Sequence, residues 1–98
     1  MTMHNPPHPG EFIDSVYLEP FNVSHRQVAE LLDVSPSTFN RLVKGVSSVT
    51  PEMALRLSKT LGRSAESWLE MQQHYDLWNA RKQIKLGRVK KLNIDDAA

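Results

Sequence analysis

A segment near the middle of the chain is rich in side chains that bind nucleic acid. From Ser35 to Gly45 the sequence carries three hydroxyls, one amide and two cations but no aspartate or glutamate. Asn can pair with an adenine edge, Arg with guanine or phosphate, and Ser or Thr with a base or the sugar-phosphate backbone. The candidate DNA contacts are Ser35, Ser37, Thr38, Asn40, Arg41 and Lys44, together with Gln27 a short distance upstream. Any short solvated helix can also have an uncharged polar face, so the interpretation depends on the elements that carry the segment.

Two other groups of residues have reactive side chains but lack the spacing of a site. His4 and His8 lie in a proline-rich segment without a carboxylate-rich loop nearby, which makes them weak metal ligands. Ser67, His74 and Asp76 are the residue types of a catalytic triad, yet they crowd one helical stretch with no strained elbow or oxyanion-hole loop. The chain has no cysteine, which removes disulfides, thiolate zinc sites and cysteine nucleophiles. The sequence therefore predicts no catalysis, no bound metal and no cofactor.

Length and composition favour one small folded domain. The 98 residues are 40% hydrophobic and 23% charged, which is ordinary for a globular domain. The formal net charge of +1 does not by itself indicate nucleic-acid binding, so a basic footprint must be local. No apolar run approaches the ~18 to 20 residues of a membrane span, and the polar, proline-rich start is unlike a signal peptide. Together with the lack of cysteine, this predicts a cytoplasmic protein.

Capping residues and apolar periodicity predict an all-α chain of five helices. Ser24, followed three residues later by Gln27, forms a capping-box pattern in which each side chain satisfies the other's free backbone donor. Ser35-Pro36 and Thr50-Pro51 are further start signals, because proline at the first helical position loses no hydrogen bond. The predicted units are an extended arm (residues 1–9), a domain (10–82) with helices at about 10–19, 24–32, 36–44, 51–61 and 65–82, and a basic tail (83–98) that is either a solvated, frayed end or a further DNA contact.

The second and third predicted helices form a helix-turn-helix at about residues 24–45. The turn around Asp33 has about three residues, too few to let two short helices lie antiparallel, so they must cross steeply. Ala29 supplies the small side chain that a close crossing needs. In this geometry the second helix of the pair can enter the major groove of DNA, and that helix is the one that carries the acid-free polar segment.

The fifth predicted helix carries a stripe of large apolar side chains at helical spacing. The stripe consists of Trp68, Met71, Tyr75 and Trp78. Such a stripe is either part of the chain's own core or the interface of a dimer. A homodimer is predicted because one small domain reads too few base pairs, whereas two copies read two half-sites of an operator.

The stretch from Gln27 to Gly45 resembles the Xre/Cro-repressor-like helix-turn-helix family. Val28, Ala29 and Phe39 are among the residues that occupy its apolar positions. Two departures stand out: Asp33 replaces the usual glycine, and His25 stands where a glutamine often begins the helix and touches phosphate. The resemblance implies a lambda-repressor-like fold in which Asp33 is tolerated and the phosphate contact of His25 is in doubt.

A longer resemblance covers about residues 5 to 82 and points to the HigA-type antitoxins. It is carried by the segments 5–11, 19–20, 50–57 and 68–78, which begin with Asn5-Pro6-Pro7-His8-Pro9-Gly10-Glu11 and end with Trp68 through Trp78. The resemblance implies a dimeric antitoxin that neutralises a cognate ribosome-dependent ribonuclease toxin and represses its own operon. Two alternatives stay open: a solitary Xre-type transcriptional regulator, and a protein-interaction module with vestigial DNA binding.

Overall fold

The computed structural model describes residues 5–97, and all regular structure in that range is helical. The predicted all-α, five-helix architecture is confirmed. Helix α1 (Pro9–Ile13) continues as a π-helical segment (Asp14–Leu18), and it is followed by α2 (His25–Leu32), α3 (Pro36–Val43), α4 (Pro51–Leu61) and α5 (Ala65–Gln83). A short further helix, α6 (Ile94–Ala97), lies within the segment predicted as a tail.

Each of the five main helices begins at a side-chain cap. The cap accepts a backbone N–H in every case: His8 from Gly10 (2.9 Å), Ser24 from Gln27 (3.1 Å), Ser35 from Thr38 (3.1 Å), Thr50 from Met53 (3.2 Å) and Ser64 from Ser67 (3.0 Å). Ser24 and Gln27 form the predicted capping box. The first cap is a histidine, so the predicted arm of residues 1–9 is too long: Pro9 is already helical, and both His8 and Pro9 are buried. His4, the other histidine considered as a metal ligand, lies outside the described residues.

The core gathers apolar side chains from every helix from α1 to α5. Its buried members are Ile13, Leu18, Val28, Ala29, Leu32, Phe39, Leu42, Val49, Ala54, Leu57 and Trp68. Ala29 is fully buried where α2 and α3 pack together, as its small size predicts. Burying one Leu or Phe side chain contributes about 1.5–3 kcal/mol, so this cluster is what holds the short helices in place.

Trp68 belongs to this core, and its prediction as a dimer-interface residue is wrong. Its side chain is 0% exposed, and its indole N–H donates to the carbonyl of Gly62 at 2.9 Å. The rings of Phe12 and Tyr17 pack against it with centroid distances of 5.9 and 6.2 Å. A residue enclosed in this way has no surface left for a second chain. Helical spacing placed it correctly on the apolar face of α5 but could not show what covers that face.

Candidate nucleic-acid interface

Helices α2 and α3 form the predicted helix-turn-helix. The turn between them is made by Asp33, which adopts the left-handed conformation (φ 60°, ψ 46°) that closes a helix. Aspartate is one of the few residues besides glycine that takes this conformation at low cost. The N–H of Val34 then bonds back to the carbonyl of Ala29 at 3.0 Å. Asp33 therefore takes the left-handed conformation that a glycine would be expected to supply at this position.

Helix α4 stabilises this turn through the side chain of Arg56. The guanidinium of Arg56 donates to the carbonyls of Leu32 (2.7 Å) and Asp33 (3.1 Å), and it is held by the carboxylate of Glu52 at 2.9 Å. The last carbonyls of a helix otherwise have no intrahelical partner, so Arg56 satisfies groups that the short turn leaves open. Sequence reasoning missed this role. The sequence indicates only that Glu52 and Arg56 are spaced to pair on one helix. No nearby residue indicates that the arginine also contacts α2.

The predicted contact residues of α3 are on its accessible side. Ser37, Thr38, Arg41 and Lys44 are exposed, and Asn40 is half-buried. Residues three, four and seven apart share one face of a helix, so Ser37, Arg41 and Lys44 form a row that can follow a groove. Within the described range, none of these cations is paired with a carboxylate. The surface is thus polar, basic and free to meet phosphate and base edges.

Two other predicted contacts also serve as caps. The hydroxyl of Ser35 accepts from the Thr38 backbone and bonds the Thr38 hydroxyl at 2.8 Å. The side-chain oxygen of Gln27 accepts from the Ser24 backbone at 3.1 Å. Both side chains remain exposed. Any DNA contact that they make must therefore be compatible with these capping bonds.

His25 and Asn40 join the two helices of the motif. The Nδ1 atom of His25 and the Oδ1 atom of Asn40 lie 2.6 Å apart. The imidazole also stands edge-on to the buried ring of Phe39, with a centroid distance of 5.8 Å and an interplanar angle of 87°. The sequence marked His25 only as a departure from the family's glutamine. The structure gives it a partner on α3.

The loop that follows α3 is held by the N-terminal segment and by α5. Buried Gln72 accepts the backbone N–H of Val49 at 2.9 Å and donates to the carboxylate of Asp76 at 3.0 Å. The His8 ring interacts with the backbone of Ser47 and packs edge-on against the ring of Tyr75 at a centroid distance of 5.0 Å. These contacts fix the end of α3 against α5. Neither Gln72 nor His8 carried a local signal for this role, since both act through partners distant in sequence.

Burial lowers the pKa of His8 below its ordinary value of 6.5, and this predicts an acid-sensitive fold. The Ser47 backbone and the charges of Asp76 and Glu11 favour the protonated ring but do not outweigh burial. Protonation would also remove the lone pair that accepts from Gly10. Because the unfolded chain takes up the proton first, the contribution of neutral His8 is complete above pH 6.5 and is lost as the pH falls through the lower folded pKa.

His8→Asn is the variant that tests this, because asparagine also caps helices but does not titrate. The free energy of unfolding by urea is measured for both proteins at a series of pH values. The difference between them should shift in favour of the asparagine variant below pH 6.5, while carboxylate titrations cancel because both chains share them. A difference that does not vary with pH would contradict the assignment.

The remaining predicted interface residues on α5 are partly buried. Met71 packs against the core, Tyr75 packs against His8, and the ammonium of Lys82 lies 3.7 Å from the ring centre of Trp78.

In the tail, five large apolar side chains are 58–68% exposed: Ile84, Leu86, Val89, Leu92 and Ile94. Across residues 5–97, no helix is long and apolar enough to cross a bilayer, and no cluster of three His, Asp or Glu is placed to hold a metal.

Comparison with known proteins identifies relatives along most of the chain. A helix-turn-helix family model matches residues 17–68. The HTH-type transcriptional regulator YddM of Escherichia coli (strain K12), itself uncharacterized, is 39% identical over 92 residues, which cover 94% of this chain and 97% of the relative.

Solved structures extend the similarity to three dimensions. Antitoxin GraA superposes with a TM-score of 0.86 at 32% identity, covering 92% of this chain and all (100%) of its own. The Pseudomonas aeruginosa antitoxin HigA, solved with the higBA promoter, superposes with a TM-score of 0.78 at 32% identity, covering 90% and 99%. The similarity therefore includes the whole helical unit and not only the two-helix motif.

Proposed function

Because this chain belongs to the Xre-type helix-turn-helix family and has HigA-type antitoxins among its relatives, we propose that it binds its operator as a homodimer, represses its own operon and neutralises a cognate toxin. The family consists of DNA-binding regulators and antitoxins, not enzymes. The proposal comprises sequence-specific operator binding, a homodimer, a toxin partner and a cytoplasmic location.

The observation that carries operator binding is the accessible face of α3. Its exposed hydroxyls and the cations Arg41 and Lys44 stand on a helix that is held in helix-turn-helix geometry, with the turn fixed by Arg56. In that geometry the second helix meets base edges while the first crosses the phosphate backbone. A relative with the same fold was solved with promoter DNA, which favours the same surface here.

The experiment that tests operator binding is selection from a library of randomised duplexes. The full chain is expected to enrich a palindromic site with half-site centres ~34 Å apart, since a two-fold dimer places its two recognition helices one helical turn apart. The genomic copy of that site should lie ahead of the chain's own gene if the operon is autoregulated. Enrichment of no sequence would contradict the proposal.

We propose that the homodimer forms through the half-buried part of the α5 stripe: Met71, Tyr75 and Trp78. With Trp68 removed from the predicted set, the large aromatic side chains left on this face are Tyr75 and Trp78. Full burial of an aromatic side chain removes ~150–250 Å² from water, and these two rings, which are already half-buried, would each contribute part of that area across a two-fold axis. They would therefore form the apolar centre of an interface that needs ~1,200–2,000 Å² in total.

Trp78→Glu is expected to convert the dimer to a monomer while the helical circular dichroism stays unchanged. Operator binding should then weaken far more than random-DNA binding, because the two half-sites are no longer read together. Gln73→Glu is the matched control, since it adds the same charge at an exposed position of α5. Sedimentation equilibrium decides: a Trp78→Glu protein that remains dimeric would place the interface elsewhere.

We further propose that the toxin binds away from α3, on the N-terminal segment and the first helix. The support from this chain is its exposed Glu11 and Glu19, which would attract the toxin if that partner is a basic ribonuclease. Glu11→Lys with Glu19→Lys should reduce rescue from a growth-arresting product of an adjacent gene, whereas Glu70→Lys on α5 should not. If no adjacent gene arrests growth, the chain is a solitary regulator; its relative YddM carries the description of an HTH-type transcriptional regulator.

A further inference from the structure

We propose that His25 is a positioning residue that turns the amide of Asn40 so that its NH₂ group meets guanine in the major groove. The inference rests on the proposed operator binding by α3 and adds to it the base that one contact would choose. It replaces the expectation, drawn from residue type alone, that Asn40 pairs with adenine.

The pair is built into the motif and does not depend on a flexible surface contact. His25 is the first residue of α2, and its Nδ1 lies 2.6 Å from the Oδ1 of Asn40 in the middle of α3. A second contact comes from Phe39, which is 0% exposed and meets the imidazole edge-on. A hydrogen bond that is partly shielded from water is stronger than an exposed one. The imidazole is therefore held by two contacts with α3, and its hydrogen bond in turn orients the amide.

The chemistry of the two groups fixes which atom donates. An amide oxygen only accepts, so Nδ1 of His25 carries the proton and donates it. The amide nitrogen of Asn40 then has no hydrogen-bond partner among the described residues. No buried polar side-chain atom in that range lacks a partner, so this nitrogen is in contact with solvent. Asn40 thus keeps its oxygen toward α2 and offers its two N–H donors outward.

This orientation favours one base edge over another. Pairing with adenine requires the amide oxygen to accept from N6 while the nitrogen donates to N7. Guanine presents two acceptors, N7 and O6, on the same edge, and both suit an NH₂ group whose oxygen is already engaged. Without His25 the amide could rotate freely and serve either purine. His25 would thereby contribute to sequence choice without touching a base.

The test compares two substitutions of His25 that remove different parts of it. His25→Phe keeps a ring against Phe39 but has no donor, and His25→Gln keeps a donor but has no ring. The probe is the duplex selected by the wild-type chain, with each base pair replaced in turn. The position read by Asn40 is the one at which Asn40→Ala loses its preference.

At that position the wild-type chain should prefer guanine. His25→Phe should reduce the preference for guanine over adenine roughly tenfold, the scale of one good side-chain pair, and His25→Gln should restore most of it. Binding to random duplexes should not change. The effects of His25→Phe and Asn40→Ala should be strongly non-additive, as expected of residues in contact. Thermal unfolding of each variant excludes a merely structural effect, and His25→Ala serves in place of the phenylalanine variant if that one misfolds.

Three results would overturn the inference. Adenine at the Asn40 position, or a guanine preference that survives in His25→Phe, would show that the pair does not set the choice. Equal weakening of specific and random binding, with a shallower salt dependence, would make His25 a phosphate contact instead. If the wild-type chain selects no site at all, the proposed operator binding fails first, and that failure is visible before any variant is tested.

Discussion

Replacing Asn40 or Arg41 by alanine is expected to cost about 1–3 kcal/mol of binding at the selected operator, and far less on random DNA. Both side chains lie on the accessible side of α3, where a recognition helix meets base edges. The measurement is a pair of equilibrium titrations, one with the operator duplex and one with a scrambled duplex of equal length. Unchanged operator affinity in the double variant would remove these residues from the reading surface.

Lys44→Ala is the matched comparison for this experiment. Lys44 is exposed at the C-terminal end of α3, where a phosphate contact is expected to be made. Its loss should weaken operator and scrambled DNA alike and reduce the slope of log K against log salt by about 0.9, the value for one phosphate. The two kinds of variant therefore differ in specificity and in salt dependence.

Gly10→Ala is expected to destabilise the fold although alanine is the better helix former. An added Cβ would overlap the carbonyl oxygen of Leu42 and come within 2.7 Å of the Cα and carbonyl oxygen of Val43. These are backbone atoms at the end of α3, so they cannot move aside as a side chain would. Overpacking of this kind costs about 1–3 kcal/mol or more, against at most ~1 kcal/mol gained from helix propensity.

Gly87→Ala is the control, because nothing lies within 4 Å of the added Cβ in the tail. Thermal unfolding of both variants and the wild-type chain measures the effect. A loss of 1 kcal/mol lowers the melting temperature of a domain this small by about 4–8 °C. If Gly10→Ala has the same melting temperature as the wild-type chain, α1 does not pack against α3 as closely as described.

The helices were predictable because their start signals are local. Ser24, Ser35, Thr50 and Ser64 each cap a backbone N–H three residues ahead, and such a bond depends only on the residues of that turn. The pairing of α2 and α3 as a helix-turn-helix was predicted from the short turn between them. Helical spacing, which is also local, predicts that the candidate contact residues of α3 share its accessible side.

What the sequence could not predict depends on contacts between distant segments. His8, Arg56 and Gln72 each bond an element far from their own, and their residue types alone favour a solvated position. Trp68 also shows this limit, because an apolar residue predicted at an interface lies in the core. Its spacing placed it on the apolar face of α5, but only the packing of Phe12 and Tyr17 determines that the chain itself covers it.

The ratio of operator to scrambled-DNA affinity at physiological salt decides whether α3 reads a specific operator. A ratio of at least ~10³ is expected for the wild-type chain, the lower end for specific regulators. The Asn40→Ala, Arg41→Ala double variant should lose most of that ratio while its affinity for scrambled DNA is retained. A wild-type ratio near one, with both affinities falling equally as salt rises, would contradict the claim and leave only sequence-independent binding to phosphate.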